Sequence, residues 1–201
     1  MTKQDDYIFS PPGIAVWPKL NEPDYKYKTE EGEFTVKLRL DPEDQEAGEW
    51  LEELKGQYED EYSTASEEAA KKKKKVKRGP VPWTNETNDE DEETGMVLVK
   101  FGMKYRTTTK KGRIWERKPE LYNAQLEPME EQIGGGSLII VKTSPYFWNT
   151  PGLGFGLSLQ PLAVQVLELR QSESVGTQGF TAVAAPVMAD AEAPADDGGE
   201  Y

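Results

Sequence analysis

Two stretches of this chain alternate apolar and polar residues with a period of two, and they limit what it can fold into. In Glu33–Leu40, Phe34, Val36, Leu38 and Leu40 point one way, and Glu33, Thr35, Lys37 and Arg39 point the other. In residues 96–106, Val97, Val99, Phe101, Met103 and Tyr105 share one face, while Lys100, Lys104 and Arg106 share the opposite one. This is the pattern of strands with one buried face. Residues 137–148, SLIIVKTSPYFW, read as a mostly buried strand introduced by Gly134–Gly136. Residues 155–169 read as a long strand bent at Pro161, with Phe155, Leu157 and Leu159 inward. Arg113–Arg117 is predicted as the return strand of a hairpin whose turn contains TKKG. About five strands with Gly-rich corners suit a small closed or nearly closed β-barrel better than an open sandwich.

The segments between these strands differ in character. Residues 9–28 hold four prolines, which forbid a helix and a central strand alike. They are predicted as an extended edge segment pinned by Trp17 and Leu20. Asp41-Pro42-Glu43 reads as a helix start, with an Asp cap and Pro in the first turn. Trp50, Leu51, Leu54 and Tyr58 continue it as a narrow apolar stripe, and the helix is predicted to fade toward Ala70. Residues 60–95 are expected to be a solvated, partly disordered excursion, and residues 120–132 a loop or short helix. The apolar share, 36% of 201 residues, supplies one modest core of roughly a hundred residues. The fold class is therefore all-β with one inserted helix.

Composition removes much of the enzyme repertoire. The chain has no Cys and no His, so disulfides, zinc fingers, thiol chemistry and His relays are out. No apolar run is long enough for a membrane span, and the N-terminus has no signal-peptide core. No motif isolates a pair of hydrolytic carboxylates, and no catalytic residue, metal or cofactor is expected. Residues Asp89–Glu93 lack the Gly turn and ligand spacing of a calcium loop. The glycines at 134–136 lack the strand–Gly–helix context and the Lys of a phosphate loop.

Net charge is −13, yet the charge is strongly blocked, so its local map matters more than its sum. Residues 71–78 hold seven bases in eight positions. They read as a phosphate-binding arm, a localisation patch, or a helix end balancing nearby acids. The most informative stretch is 97–118, where Lys100, Lys104, Arg106, Lys110, Lys111, Arg113, Arg117 and Lys118 face the single acid Glu116. Arg113, Trp115 and Arg117 fall on one face of their strand. A cationic track with exposed aromatic faces is what the phosphates and bases of a single strand require. A solvated face whose basic stems cover Trp115 is the plainer alternative. Phe101 belongs to the core by parity, and Tyr105, near the strand end, could serve either role. Tyr146 and Trp148 share parity with Lys142, and either extend a stacking platform or plug the barrel. The last twenty residues carry five acids, Asp190, Glu192, Asp196, Asp197 and Glu200, no base, and Tyr201 at the end.

The opening FSPPGIAVWPKLNEPDYKYKTEEGEFTVKLRL and the closing GGGSLIIVKTSPYFWNTPGLGFGLSLQPLAVQVLEL resemble bacteriophage replicative single-stranded DNA-binding proteins. That resemblance implies an OB-fold over residues 1–181 and an acidic tail, 182–201, ending in an aromatic. It implies sequence-tolerant coating of single strands in replication and recombination, without turnover, in the cytoplasm of an infected bacterium. It also implies tail contacts with replication proteins such as polymerase and helicase or primase, and a homodimer. The rival from another class is an acidic structural or scaffolding module whose hairpin binds protein; a magnesium-dependent nuclease is third.

Overall fold

The computed structural model describes residues 7–26, 30–109 and 112–171. Along the chain these form β1 (Ile8–Phe9), β2 (Gly13–Asp24), β3 (Glu33–Leu40), helix α1 (Gln45–Lys71), β4 (Trp83–Thr87) and β5 (Glu93–Lys104). There follow β6 (Arg106–Thr108), β7 (Ile114–Glu116), β8 (Glu120–Tyr122), β9 (Leu138–Thr150) and β10 (Gly154–Glu168).

Five of the strands make a ring. β9 pairs with β2, β2 with β3, β3 with β5, β5 in parallel with β10, and β10 with β9. In ring order this is the 1-2-3-5-4 arrangement of an OB-fold barrel. The β5–β10 seam is a single pairing, Leu159 opposite Phe101, so the barrel is not strictly closed. β4 lies beside β5, β1 beside β9 and β8 beside β10, while β6 and β7 form a separate two-stranded ribbon.

Both alternating strands bury the expected faces. Phe34, Val36, Leu38 and Leu40 meet Val97, Val99, Phe101 and Met103 inside the barrel. Ile139 and Val141 of β9, and Leu157, Leu159 and Val164 of β10, complete the core. Burying each such aliphatic side chain stabilises the fold by about 1.5–3 kcal/mol before the entropic cost is counted.

The structure corrects several expectations. β2 is not an edge segment. It pairs with β9 through Gly13 and Ile14, and with β3 at Ile14, Ala15, Val16, Lys19 and Asp24. Its register shifts between Val16 and Lys19 and again before Asp24, and Pro18 and Pro23 lie in those intervals. The prolines are accommodated where the ladder is interrupted. The first shift also turns Trp17 out of the core: it is 80% exposed, with φ at +51°, while Leu20 is buried as expected. The helix cap is Asp44, which accepts from the Ala47 amide at 3.0 Å. Asp41 instead accepts from the Glu43 amide, so the first acid makes a turn and the second caps the helix. In the 120–132 stretch, β8 is a three-residue strand parallel to β10, too short to show a period. Residues 60–95, expected to be partly disordered, complete α1 and form β4 and the start of β5.

Helix α1 packs Leu51, Leu54 and Tyr58 onto the barrel. The Tyr58 hydroxyl donates to the Phe155 carbonyl at 3.0 Å, and burial pushes its pKa up. Arg78 forks onto both oxygens of Glu59 at 2.6 Å and lies 4.3 Å from the Tyr62 ring centre. Its hydrogen bonds hold the Glu59 carboxyl below the usual carboxylate range. Just past the lysine run, the backbone joins the start of β10. The Phe155 amide donates to the Lys77 carbonyl at 2.8 Å, and the Gly79 amide to the Phe155 carbonyl at 2.7 Å. This approach requires Gly154, whose φ is +96° and where a Cβ would lie 2.6 Å from the Lys77 carbonyl oxygen. Gly154→Ala is therefore expected to cost about 1–3 kcal/mol through backbone strain alone, with the clash added. Urea unfolding monitored by circular dichroism checks this; an unchanged midpoint would contradict the docking.

Candidate nucleic-acid interface

The outward face of β3 and β5 follows from the inward one. With Val36 opposite Phe101 and Leu38 opposite Val99, Lys37 stands directly opposite Lys100. Like charges placed so across a ladder repel. Neighbouring bases are treated differently. Arg39 pairs with Glu86 at 2.8 Å, Lys104 with Glu31 at 2.7 Å and Arg106 with Glu116 at 2.9 Å. Among the described residues, neither Lys37 nor Lys100 has an ion-pair partner.

The two lysines and the single acid Glu33 line a groove of about 480 Å³, whose other walls include Pro80–Pro82 and Trp148. A smaller depression, about 190 Å³, continues from them to Trp17. Trp148 lies on the outer surface of the sheet and does not plug the barrel. It stands opposite Gly156, donates from its indole Nε1 to Ser158 Oγ at 3.0 Å, and lies over the Gly156 backbone. A Cβ at Gly156 would overlap the indole ring. Tyr146, one outward position back, is 56% exposed.

The predicted basic hairpin forms as β6 and β7, with Thr107 opposite Trp115. Trp115 is 52% exposed, and the Arg113 guanidinium lies 4.8 Å from its ring centre. Arg113 and Lys118 are exposed and, among the described residues, have no ion-pair partner. Arg117 donates from Nη1 to Gln160 Oε1 at 3.2 Å. Gln160 lies two residues along β10 from Ser158, so this bond links the hairpin to the side of β10 that holds Trp148. Tyr105 packs edge-on against Phe34 at 5.8 Å, and its hydrogen bond with Glu116 raises its pKa. Hydrogen bonds from Arg106 first, and Tyr105 second, lower that of Glu116. Tyr105 is thus part of the barrel margin, and Arg106 is held by an acid.

Lys142 is not brought to the groove. Its Nζ lies 3.8 Å from the Tyr7 ring centre, beside β1. Six residues of strand, about 20 Å, separate it from Trp148. Parity places two side chains on one side of a strand but does not make them neighbours. Lys110 and Lys111 lie outside the described residues, as do Asp190, Glu192, Asp196, Asp197, Glu200 and Tyr201 of the tail. Lys37 and Trp17 were missed as site residues. Lys37 had the right parity, but its juxtaposition with Lys100 depends on strand register. Trp17 carried no signal separating it from an apolar anchor. Among the described residues, no His, Cys, Asp or Glu cluster could hold a metal ion.

The family model for the single-stranded DNA-binding protein of bacteriophage T7 matches residues 13–169. No curated protein sequence matches the chain. The crystal structure of gp2.5, a single-stranded DNA binding protein encoded by bacteriophage T7, is similar at a TM-score of 0.69 and 23% identity, over 88% of this chain and 98% of that one. The single-stranded DNA-binding protein from bacteriophage Enc34, in complex with ssDNA, is similar at 0.60 and 14% identity, over 85% and 91%. At these identities, both likenesses establish the OB-like fold.

The Lys37–Lys100 pair has a consequence for stability. Lys37→Gln is expected to stabilise the free protein by roughly 0.2–0.5 kcal/mol at low salt, by relieving cross-strand repulsion. Salt should erase the gain through screening. Thermal melts at two ionic strengths check this; destabilisation at low salt would show that Lys37 has a structural partner.

Proposed function

The chain belongs to the bacteriophage T7 single-stranded DNA-binding protein family, and on that premise we propose that it binds single-stranded DNA along the groove over β3 and β5, by stacking and charge, without turnover. The observation that carries this reading is the Lys37–Lys100 pair, without an ion-pair partner among the described residues, in the groove that Trp148 also lines. Phosphates are the ligand that relieves such a pair. Aromatic faces give sequence-tolerant contact, because every base has a face to stack. In this reading Lys37 and Lys100 contact phosphates, Trp148 and Trp17 offer stacking surfaces, and the hairpin continues the track with Arg113, Trp115, Arg117 and Lys118. Lys104 and Arg106 contribute only if DNA displaces Glu31 and Glu116.

The family context extends the proposal to replication and recombination of phage DNA in the cytoplasm of an infected bacterium. It includes assembly as a homodimer and recruitment of polymerase and helicase or primase through the tail. The tail's acids, Asp190 to Glu200, would compete with phosphates for the groove, since tethering gives them a high effective concentration there. Tyr201 would then be presented to a partner once DNA displaces the tail.

Tryptophan fluorescence against poly-dT and against duplex tests the central claim, with quenching expected from the single strand. No response to either would favour a protein-interaction module, and metal-dependent cleavage a nuclease. For about four to six neutralised phosphates, log affinity should fall against log salt with a slope near −3 to −4. A flat dependence would sink the cationic groove. Trp148→Ala and Trp115→Ala should each cost roughly 1–3 kcal/mol of binding, a typical stacking loss.

Deleting residues 182–201 should tighten single-strand binding at low salt, with the gain shrinking as salt rises. It should also abolish capture of a replication partner. Equal affinity of the full and truncated chains at low salt would refute the competition.

A further inference from the structure

The lysines that precede Arg78 play no part in the groove described above. Lys71–Lys75 and Lys77 are all exposed, and among the described residues none has an ion-pair partner. Arg78 differs: Glu59 neutralises it, and Tyr62 lies beneath its guanidinium. Of the seven bases in this run, the one that meets the helix is the one taken up by structure.

The position of the run is fixed. The Lys77 carbonyl takes the Phe155 amide, and Phe155 is the neighbour of Gly156, on which Trp148 lies. Pro80–Pro82, three to five residues further on, line the groove itself. Two glycines permit this approach. A Cβ at Gly79 would come within 2.9 Å of the Leu153 and Phe155 carbonyl oxygens, and one at Gly154 within 2.6 Å of the Lys77 oxygen. Lys77 is at most about 10 Å of chain from the groove wall, and Lys74 about 20 Å.

Resting on the single-strand reading above, we infer that Lys71–Lys75 and Lys77 are a second binding site for the same DNA strand, taking the phosphates that leave the groove past Trp148. The ligand is sugar-phosphate backbone, bound by charge with no base readout, because ammonium groups on flexible stems are point charges without a fixed fork. The site lengthens the footprint, so oligonucleotides confined to the groove do not engage it and longer ones do.

The test replaces Lys72, Lys73, Lys74 and Lys75 together by Gln in the full chain. These positions lie beyond the last helical residue, so circular dichroism and melting should be unchanged. Affinity is measured against salt for two oligo-dT lengths, one near the short end of the roughly 4–16 nucleotide range of a single OB-fold and one well beyond the long end. The wild-type chain should show a steeper slope with the long oligomer than with the short one. In the quadruple variant the long-oligomer slope should fall by up to about 3, at roughly 0.7 for each phosphate left unneutralised, with the short-oligomer affinity unchanged. An unchanged long-oligomer slope overturns the inference while leaving the groove intact. A fall shared equally by both lengths also overturns it, because that is what release of the chain's own acidic segment onto the groove would produce. A wild-type chain that binds neither oligomer refutes the single-strand reading itself, and is thereby distinguishable.

Discussion

The register of β3 against β5 is the constraint on which the rest depends. Val36 lies opposite Phe101 and Leu38 opposite Val99, with all four side chains inside the barrel. A slip of one residue would carry the whole apolar set to the solvent face, so hydrophobic burial holds this pairing firmly. The same pairing leaves Lys37 and Lys100 no choice but to stand together outside. The unfavourable contact is therefore carried by a favourable one directly beneath it. Nothing local to the two lysines holds them; the core does.

A second node couples the helix to this frame. Phe155, the second residue of β10, meets both helix α1 and the segment that leads from it to β4. Its carbonyl accepts from both Tyr58 and Gly79, and its ring packs against Tyr58, Tyr62 and Phe147. Arg78 closes the arrangement through Glu59 and Tyr62. The insertion between β3 and β5 is thus tied to the barrel at β10, on the far side of the seam at Leu159 and Phe101. The contacts around Phe155, together with the Leu157 amide donating to the Pro80 carbonyl at 3.2 Å, hold the insertion against β10.

What could be read from the sequence was what depends on neighbours along the chain. The alternation in β3 and β5, the Leu51–Leu54–Tyr58 stripe, the β6–β7 hairpin and the break at Pro161, which is a register shift against β9, are all local periods or local breaks. What could not be read depends on partners distant in sequence. The outward turn of Trp17 comes from a register shift against β3, and β8 is defined by its partner β10. Two acids three residues apart competed to cap α1, and either satisfied the local rule. For the site, residue type and parity identified Lys100, Trp115 and Trp148 as candidates. Parity failed for Lys142 because it carries no information about separation along a strand. The charged segment misled in another way: its composition resembles a solvated linker, while Tyr58, Tyr62 and two glycines tie it down.

Trp148 lies in space that any other residue at position 156 would fill, and its indole nitrogen is already bonded to Ser158. The ring therefore has one orientation before any ligand arrives. A base stacking on it would freeze almost no side-chain torsion of the protein, whereas a freely rotating aromatic would surrender rotamer freedom on contact. If single-stranded DNA takes the proposed path, the fixed ring would also work as a ruler. It would hold one base position at a constant distance from Lys37 and Lys100, so that the spacing of nucleotides would be set by the sheet and not by the strand that enters it.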